Sequence, residues 1–248
     1  MEKFSGKKFI KDINKPENGF VPDQIINKRS LGKGGYGQVF EVELKKDSHS
    51  KNFALKKFNT DHTERGNEIA RLFTERDFQT YKKVKEAGIK VFTTLRISEN
   101  HQELLMTLGT TEDFTLISKD SHITWEKVNK ITNLEILLSQ IQNNILKAMK
   151  AGITLPNDGY FFVIENSHST DVDFLVGDYG GVSFDTIKKN NADIYFIQNI
   201  SGARTALNRF LESYMIKEKV EEYKELVDNN LKKFGEEHVS GFEFNKYA

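Results

Sequence analysis

Apolar and polar residues alternate early in the chain in a way that predicts a β-sheet. Over residues 40–44, three apolar side chains alternate with two glutamates, and residues 53–58 form a second strand-like segment after a polar turn. Alternation is typical of a strand, because successive side chains point to opposite faces of a sheet. Residues 25–60 are therefore predicted to form three strands.

Apolar residues at intervals of three and four predict helices further along the chain. The predicted helices span residues 67–87, 134–151, 192–214 and 217–234, and further strands span 89–97, 103–108, 160–164 and 173–176. Gly88 and Gly235 are predicted to cap the first and last helices at their C-termini. We expect Gly202 to interrupt the third helix.

The composition narrows the class of protein. The chain has 248 residues with 36 basic and 36 acidic side chains, so its formal net charge is zero, and no overall field attracts nucleic acid. Cysteine is absent, which excludes disulfides and thiolate metal sites. No apolar run approaches the roughly 20 residues of a membrane span, and residues 1–11 lack the apolar core of a signal peptide.

A glycine-rich segment joins the first two predicted strands. Gly32, Gly34 and Gly37, with Gly35 beside them, would let the backbone approach phosphate groups without a Cβ in the way. The segment after Val39 alternates as a strand. A dinucleotide-binding loop should open a helix instead, so the pattern favours a phosphate-covering loop between two strands.

The next predicted strand contains Ala54 and Lys56. Residues two apart in a strand share a face, so both side chains point the same way. A small side chain can lie against an adenine ring while the ammonium group reaches the phosphates. The alternative is an ordinary glycine-rich hairpin with a solvated lysine.

In the second half, Asp178-Tyr179-Gly180 follows the apolar run 174–176. A carboxylate at the end of a strand can hold a divalent cation against anionic phosphates, because Mg²⁺ prefers hard oxygen ligands. The glycine then lets the chain turn away. Asp178 is therefore a candidate metal ligand.

Residues 25–182 together resemble the protein-kinase-like superfamily, most closely at 32–39, 54–56 and 178–180. The resemblance implies an α+β, two-lobed protein-kinase-like fold. In this fold, residues 1–24 would be an N-terminal lead-in and residues 25–110 would form a five-stranded antiparallel small lobe. Residues 111–248 would form a reduced, mainly helical large lobe. It implies ATP with Mg²⁺ or Mn²⁺ as cofactors, and transfer of the γ-phosphate to a hydroxyl.

The resemblance also assigns roles to residues. Those expected at the nucleotide are Gly32, Gly34, Gly35, Gly37, Val39, Ala54, Lys56 and Glu75, with Lys56 also expected to act in catalysis and Asp178 expected at the metal. A carboxylate on the first helix should pair with Lys56, and Glu75 and Asp77 both qualify. The hinge that pairs with adenine would be residues 109–113.

The expected catalytic loop matches the family poorly in its side chains. No histidine is present between residues 151 and 163. Counting back from the strand places Asn157 at the position of the catalytic aspartate, and a shift of one residue places Asp158 there. Asp158 is our candidate base. Phe162 or Val163 stands where a second metal ligand belongs, and the substitutes considered are Asn166, Asp171 and Asp173.

Other departures concern regulation and partners. Only about a dozen residues separate Gly180 from the helix that starts near Asp193, and no A-P-E motif follows Gly180. With these features missing, the chain is similar to small atypical kinases found among bacterial effectors. The resemblance implies a cytoplasmic protein, or one secreted into a host cell, that uses an activating partner.

The basic cluster Lys82, Lys83, Lys85 and Lys90 is expected to be a solvated helix face, with a polyanionic ligand as the alternative.

Three functions remain open from the sequence. The first is phosphate transfer to a serine or threonine of a protein, or to a small-molecule acceptor. The second is a pseudokinase that binds nucleotide as a scaffold, which the degraded catalytic loop suggests. The third is a kinase-fold enzyme that transfers AMP.

Overall fold

The computed structural model describes residues 24–33, 37–46, 49–58, 63–92, 94–96, 103–107, 115–117, 126–164, 169–184, 192–240, 242 and 244. The chain divides into two compact units. The first unit holds residues up to Gln79 and Phe92–Leu108, and the second holds Thr80–Val91 and the chain from Gly109 onward. None of the helices in the described ranges has the length and apolar content of a membrane span.

The described part is α+β, with mostly antiparallel sheets and four long helices. The strands are β1 (Gln24–Lys33), β2 (Gly37–Lys46), β3 (His49–Phe58), β4 (Thr94–Arg96), β5 (Glu103–Thr107), β6 (Thr115–Ile117), β7 (Ile153–Thr154), β8 (Tyr160–Ile164), β9 (Val172–Val176) and β10 (Ser183–Phe184). The helices are α1 (Glu64–Glu86), α2 (Leu134–Ala151), α3 (Ala192–Tyr214) and α4 (Lys217–His238).

The first unit contains a five-stranded antiparallel sheet in the order β1-β2-β3-β5-β4. The three strands predicted for residues 25–60 are confirmed. The strand predicted for residues 89–97 is shorter, because only Thr94–Arg96 pairs in this sheet. Its earlier apolar residue, Val91, instead forms a single parallel bridge with Val176 in the second unit.

Both faces of this sheet carry buried apolar side chains. On one face Val42, Leu44, Phe53, Leu55 and Leu105 are fully buried, as the alternation in the sequence predicts. On the other face, three buried residues of the sheet and α1 form a second cluster: Phe58, Ala70 and Leu104. This second face also carries Lys56, two residues before Phe58.

Gly37 begins β2 where the backbones of β2 and β3 come unusually close. A Cβ at this position would lie 2.5 Å from the carbonyl oxygen of Lys57, and that atom cannot rotate away. We expect Gly37→Ala to lower the free energy of unfolding by about 1–3 kcal/mol, the usual cost of overpacking. Chemical denaturation measures this cost, and Gln38→Ala on the same strand is the control. Equal stability of the two variants would contradict the packing described here.

The second unit combines helices α2, α3 and α4 with two small sheets, β6-β8-β9 and β7-β10, both antiparallel. The predicted helix at residues 134–151 is confirmed residue for residue. The strands predicted at 160–164 and 173–176 are confirmed with one extra residue, Val172, and they pair as a hairpin. Fully buried apolar side chains from α2, α3 and α4 form one continuous core with β8 and β9.

Two expectations about glycines were wrong. Gly202 does not interrupt α3, which is continuous, and Gly235 does not cap α4, which continues to His238. Gly235 instead makes room for Phe242, whose ring would lie 2.1 Å from an added Cβ. Gly88 follows the end of α1 with a left-handed φ of 76°, as expected of a C-terminal cap.

Tyr160 offers a test of the core of the second unit. Its hydroxyl is buried with no hydrogen-bond partner among the described residues, and burial raises the pKa of this phenol. Tyr179 is also buried, but its hydroxyl donates to the carbonyl oxygen of Val176 at 3.2 Å. An unpaired buried hydroxyl costs free energy, whereas a paired one contributes about 1 kcal/mol. We therefore expect Tyr160→Phe to stabilise the protein and Tyr179→Phe to destabilise it, each by about 1 kcal/mol in thermal unfolding. The same sign for both would contradict this description.

Candidate functional site

Three residues predicted at the nucleotide lie in one row across the first sheet. Gly32 pairs with Val39, and Val39 pairs with Lys56 on β3. Directly paired side chains of antiparallel strands share a face, so Val39 and Lys56 point the same way. Ala54 is two residues from Lys56 and lies on that face as well. Gly34 and Gly35 lie outside the described residues, as does the predicted hinge at 109–113.

Lys56 is held in place by a carboxylate from α1. Its Nζ donates to Asp77 Oδ2 at 3.1 Å and lies 5.1 Å from the centre of the Phe58 ring. Asp77 is only 1% exposed, and its other oxygen accepts from Arg76 at 3.3 Å. Lys56 is 14% exposed. The ammonium group is therefore fixed by a buried anion on one side of the sheet.

The ion pair decides between the two carboxylates that the sequence left open. Asp77 holds Lys56, while Glu75, which we had placed among the nucleotide-binding residues, accepts a hydrogen bond from Gln79 at 2.6 Å. Two residues along a helix are separated by about 200° around its axis, so the two carboxylates leave α1 in different directions. Asp77 replaces Glu75 in the candidate site.

Glu41 is a buried carboxylate on the same face that the sequence did not identify. It pairs directly with Ala54 across the sheet and is 8% exposed. Its two oxygens accept from Arg29 at 2.6 Å and from Asn52 at 3.2 Å. In the sequence, Glu41 is simply a polar residue between two apolar ones in a strand. Nothing in the neighbouring residues indicates that its side chain is buried on the same face as Lys56.

In the second unit, Asp178 directly follows the end of β9. Its φ of 45° makes it the one described non-glycine residue with a left-handed backbone, a conformation that aspartate and asparagine tolerate better than most residues. Its side chain is exposed. The neighbouring Tyr179 is buried, with its ring 5.6 Å from that of Tyr81. The turn therefore fixes Tyr179 inward and leaves Asp178 at the surface of the unit.

Asp158 occupies the matching position on the other strand of the hairpin. β8 and β9 pair up to Tyr160 and Val176, and the next residues also bond, because Gly177 N donates to Gly159 O at 2.9 Å. Asp158 and Asp178 are each one residue beyond this bond. With paired Cα atoms about 5.5 Å apart and steps of about 3.8 Å, their Cα atoms lie within about 13 Å. Asp158 is exposed.

Pro156 joins the two turns that carry these aspartates. A Cβ on Gly159 and a Cβ on Gly181 would each lie 3.1 Å from atoms of the Pro156 ring. The two glycines thus let the ring fit between the turn before β8 and the turn after β9. This packing fixes the two acidic turns relative to each other.

The structure also places the candidates for a second metal ligand. Asp173 forms an ion pair with Lys90 and accepts from its own strand at Phe174 N, 2.8 Å away. Asp171 accepts from the Thr132 hydroxyl, at the opposite end of the hairpin from Asp178. Asn166 lies outside the described residues. Phe162 and Val163 are buried, and the Phe162 ring stacks on Phe210 at 4.4 Å.

The basic cluster at the end of α1 is largely engaged within the second unit. Lys83 lies over the Phe184 ring at 4.8 Å, Lys85 donates to the Tyr81 hydroxyl at 3.1 Å, and Lys90 pairs with Asp173. These contacts fix three of the four ammonium groups against protein side chains. These contacts show lysines that bind side chains of their own unit, and nothing in them favours a site for a polyanionic ligand.

Across the described residues, no group of three or more histidine and acidic side chains forms a metal-binding cluster. Asp158 and Asp178 are a pair of carboxylates on adjoining turns, which is the hard oxygen chemistry that Mg²⁺ or Mn²⁺ prefers. The chain matches no protein-family model and no curated protein. The candidate site therefore stands on its geometry alone.

Proposed function

We propose that this protein is an ATP-dependent phosphotransferase of the protein-kinase-like type. The observation that carries the proposal is the ion pair of Lys56 with the buried Asp77, in the same cross-strand row as Val39 and the first glycine of the phosphate loop. A lysine whose ammonium is fixed by a buried anion is suited to contact phosphate oxygens without losing its orientation.

The acidic turns of the second unit support the transfer step in the proposal. Asp178 would hold a divalent cation, Mg²⁺ or Mn²⁺, which neutralises charge on the transferred phosphate. Asp158 would orient the acceptor hydroxyl and take its proton. Its side chain is exposed, so a substrate hydroxyl can reach it. We propose a serine or threonine hydroxyl of a protein as the acceptor.

A pseudokinase is the second candidate, and one observation favours it. The position where a second metal ligand is expected is filled by Phe162 or Val163, and both side chains are buried in the core. A chain with one metal ligand could bind nucleotide and yet transfer phosphate slowly. The two candidates agree on nucleotide binding and differ in turnover.

Incubation of the purified chain with ATP labelled at the γ- or the α-phosphate separates these functions. With ATP labelled at the γ-phosphate and Mg²⁺ or Mn²⁺ present, we expect the label to appear on the chain itself or on a generic acceptor protein. Transfer of the label from ATP labelled at the α-phosphate would indicate transfer of AMP. Binding of ATP with no transfer of label from either position would indicate the pseudokinase. Asp178→Asn is the control that removes metal-dependent transfer while keeping the turn.

A further inference from the structure

The loop that carries Asp158 is held from behind by one side chain of α3. Asn199 is fully buried, with 0% exposure. Its Oδ1 accepts from the backbone N–H of Leu155 at 2.9 Å, and its Nδ2 donates to the carbonyl oxygens of Ile153 and Tyr195, both at 2.8 Å. Both donors and the acceptor of the amide are thus used, and two of the three bonds fix the backbone just before Pro156.

The next turn of the same helix lets the loop come close. A Cβ on Gly202 would lie 3.1 Å from the carbonyl oxygen of Leu155, which is closer than an ordinary van der Waals contact. Gly202 therefore makes room for the same backbone that Asn199 binds. Residues 153–155 lie against one short stretch of α3, held by hydrogen bonds at one turn and by close approach at the next.

From this stretch the constraint continues to the acidic turns. Leu155 is followed by Pro156, whose ring packs on Gly159 and Gly181, and Gly159 is bonded to Gly177 next to Asp178. A displacement of Leu155 would therefore move Pro156 and change the spacing of Asp158 and Asp178. Positions of reacting groups must hold to a fraction of an ångström for efficient transfer.

We propose that Asn199 is a positioning residue for phosphate transfer. Its hydrogen bonds fix the loop before Asp158, and Gly202 leaves the space that this loop needs against α3. The inference rests on the proposed function. Asn199 touches no reacting atom in this proposal. It acts through the Leu155 and Pro156 backbone, so it should affect turnover much more than nucleotide binding.

Two variants test this role in the 248-residue chain. Asn199→Asp keeps the acceptor for Leu155 but turns a carboxylate oxygen toward two carbonyl oxygens, so the loop should shift. Gly202→Ala retains all three hydrogen bonds and inserts a Cβ against Leu155 O, while alanine is the better helix former. We expect kcat for transfer of γ-phosphate to fall by roughly 10²-fold in Asn199→Asp, as for a misplacement of about 1 Å. Gly202→Ala should also lower kcat. In both variants KM for ATP should change less than about twofold, because positioning affects the transition state and not the binding of ATP.

Two controls separate positioning from loss of stability. Gln198→Ala removes a side-chain bond to the Thr154 hydroxyl, 3.1 Å long, and leaves the loop backbone untouched, so kcat should not change. Val227→Ala weakens the buried core on α4, a helix that makes none of the three hydrogen bonds to the loop, and should lower the melting temperature without lowering kcat at temperatures where the variant is folded.

Amide hydrogen exchange at Leu155 gives a readout that does not depend on activity. The wild-type amide should be protected, and protection should fall by at least about tenfold in Asn199→Ala if that variant folds. An unprotected wild-type Leu155 amide, or kcat unchanged in both Asn199→Asp and Gly202→Ala, overturns the inference and leaves the proposed function standing. A wild-type chain that binds ATP but transfers no label overturns the proposed function, and the positioning role with it.

Discussion

Asp178→Asn is expected to reduce metal-dependent transfer of phosphate by roughly 10³-fold, because a bound cation lowers such barriers by several kcal/mol and each 1.36 kcal/mol is a factor of about ten. Asparagine is the right replacement at this position. It tolerates the left-handed backbone that Asp178 adopts at φ 45°, so the turn should persist while the charge is lost. Steady-state transfer of γ-labelled phosphate measures the effect.

Asp173→Asn is the matched control for this experiment. Asp173 lies on the same hairpin but forms an ion pair with the exposed Lys90, so its loss should leave transfer within about twofold and cost less than about 1 kcal/mol of stability. If Asp173→Asn lost as much transfer as Asp178→Asn, or if Asp178→Asn kept full transfer, the metal assignment would be wrong.

The second large effect concerns Lys56. Lys56→Met removes the ammonium group and leaves Asp77, 1% exposed, with the Arg76 guanidinium 3.3 Å away. Removing one partner of a buried ion pair leaves an undercompensated charge, and we expect a loss of about 3 kcal/mol in the free energy of unfolding. ATP binding should be lost as well. Chemical denaturation and calorimetric titration with ATP measure the two effects.

A double variant separates stability from function at this ion pair. Lys56→Met with Asp77→Leu replaces both charges by apolar groups, which is often neutral for a buried pair, so stability should largely return while ATP binding does not. Lys57→Met is the control on the opposite face of β3, where the lysine pairs with Glu103 at 3.0 Å and is 39% exposed. If Lys57→Met weakened ATP binding as much as Lys56→Met, Lys56 would have no special role.

Elements with a strong local pattern could be predicted from the sequence. The three strands of residues 25–60 follow from alternation, and α2 follows from regular apolar spacing. The predicted strand at 89–97 was too long because Val91 belongs to the second unit, where it pairs with Val176, and no local pattern in the sequence records that contact. Gly202 and Gly235 were misjudged for a similar reason, since close contacts with Leu155 and Phe242 explain both glycines.

The candidate site was predictable only where chemistry and position coincide. Lys56 and Asp178 follow from motifs, but the choice of Asp77 over Glu75 depends on which side of α1 faces β3, and apolar spacing on that helix does not separate them. Asn199 had no signal at all, because an amide within a helix is ordinary until its partners at Ile153 and Leu155 are known.

Titration of ATP in the presence and absence of Mn²⁺ tests the central proposal most directly, that the chain binds ATP through Lys56 and a divalent cation through Asp178. For the wild-type chain we expect Mn²⁺ to strengthen ATP binding by at least about fivefold, the usual lower range of coupling between two bound ligands. In Asp178→Asn the metal-free affinity should persist and the strengthening should vanish, whereas the Lys56→Met, Asp77→Leu variant should not bind ATP in either condition. No ATP binding by the wild-type chain, or equal strengthening by Mn²⁺ in Asp178→Asn, would contradict the claim.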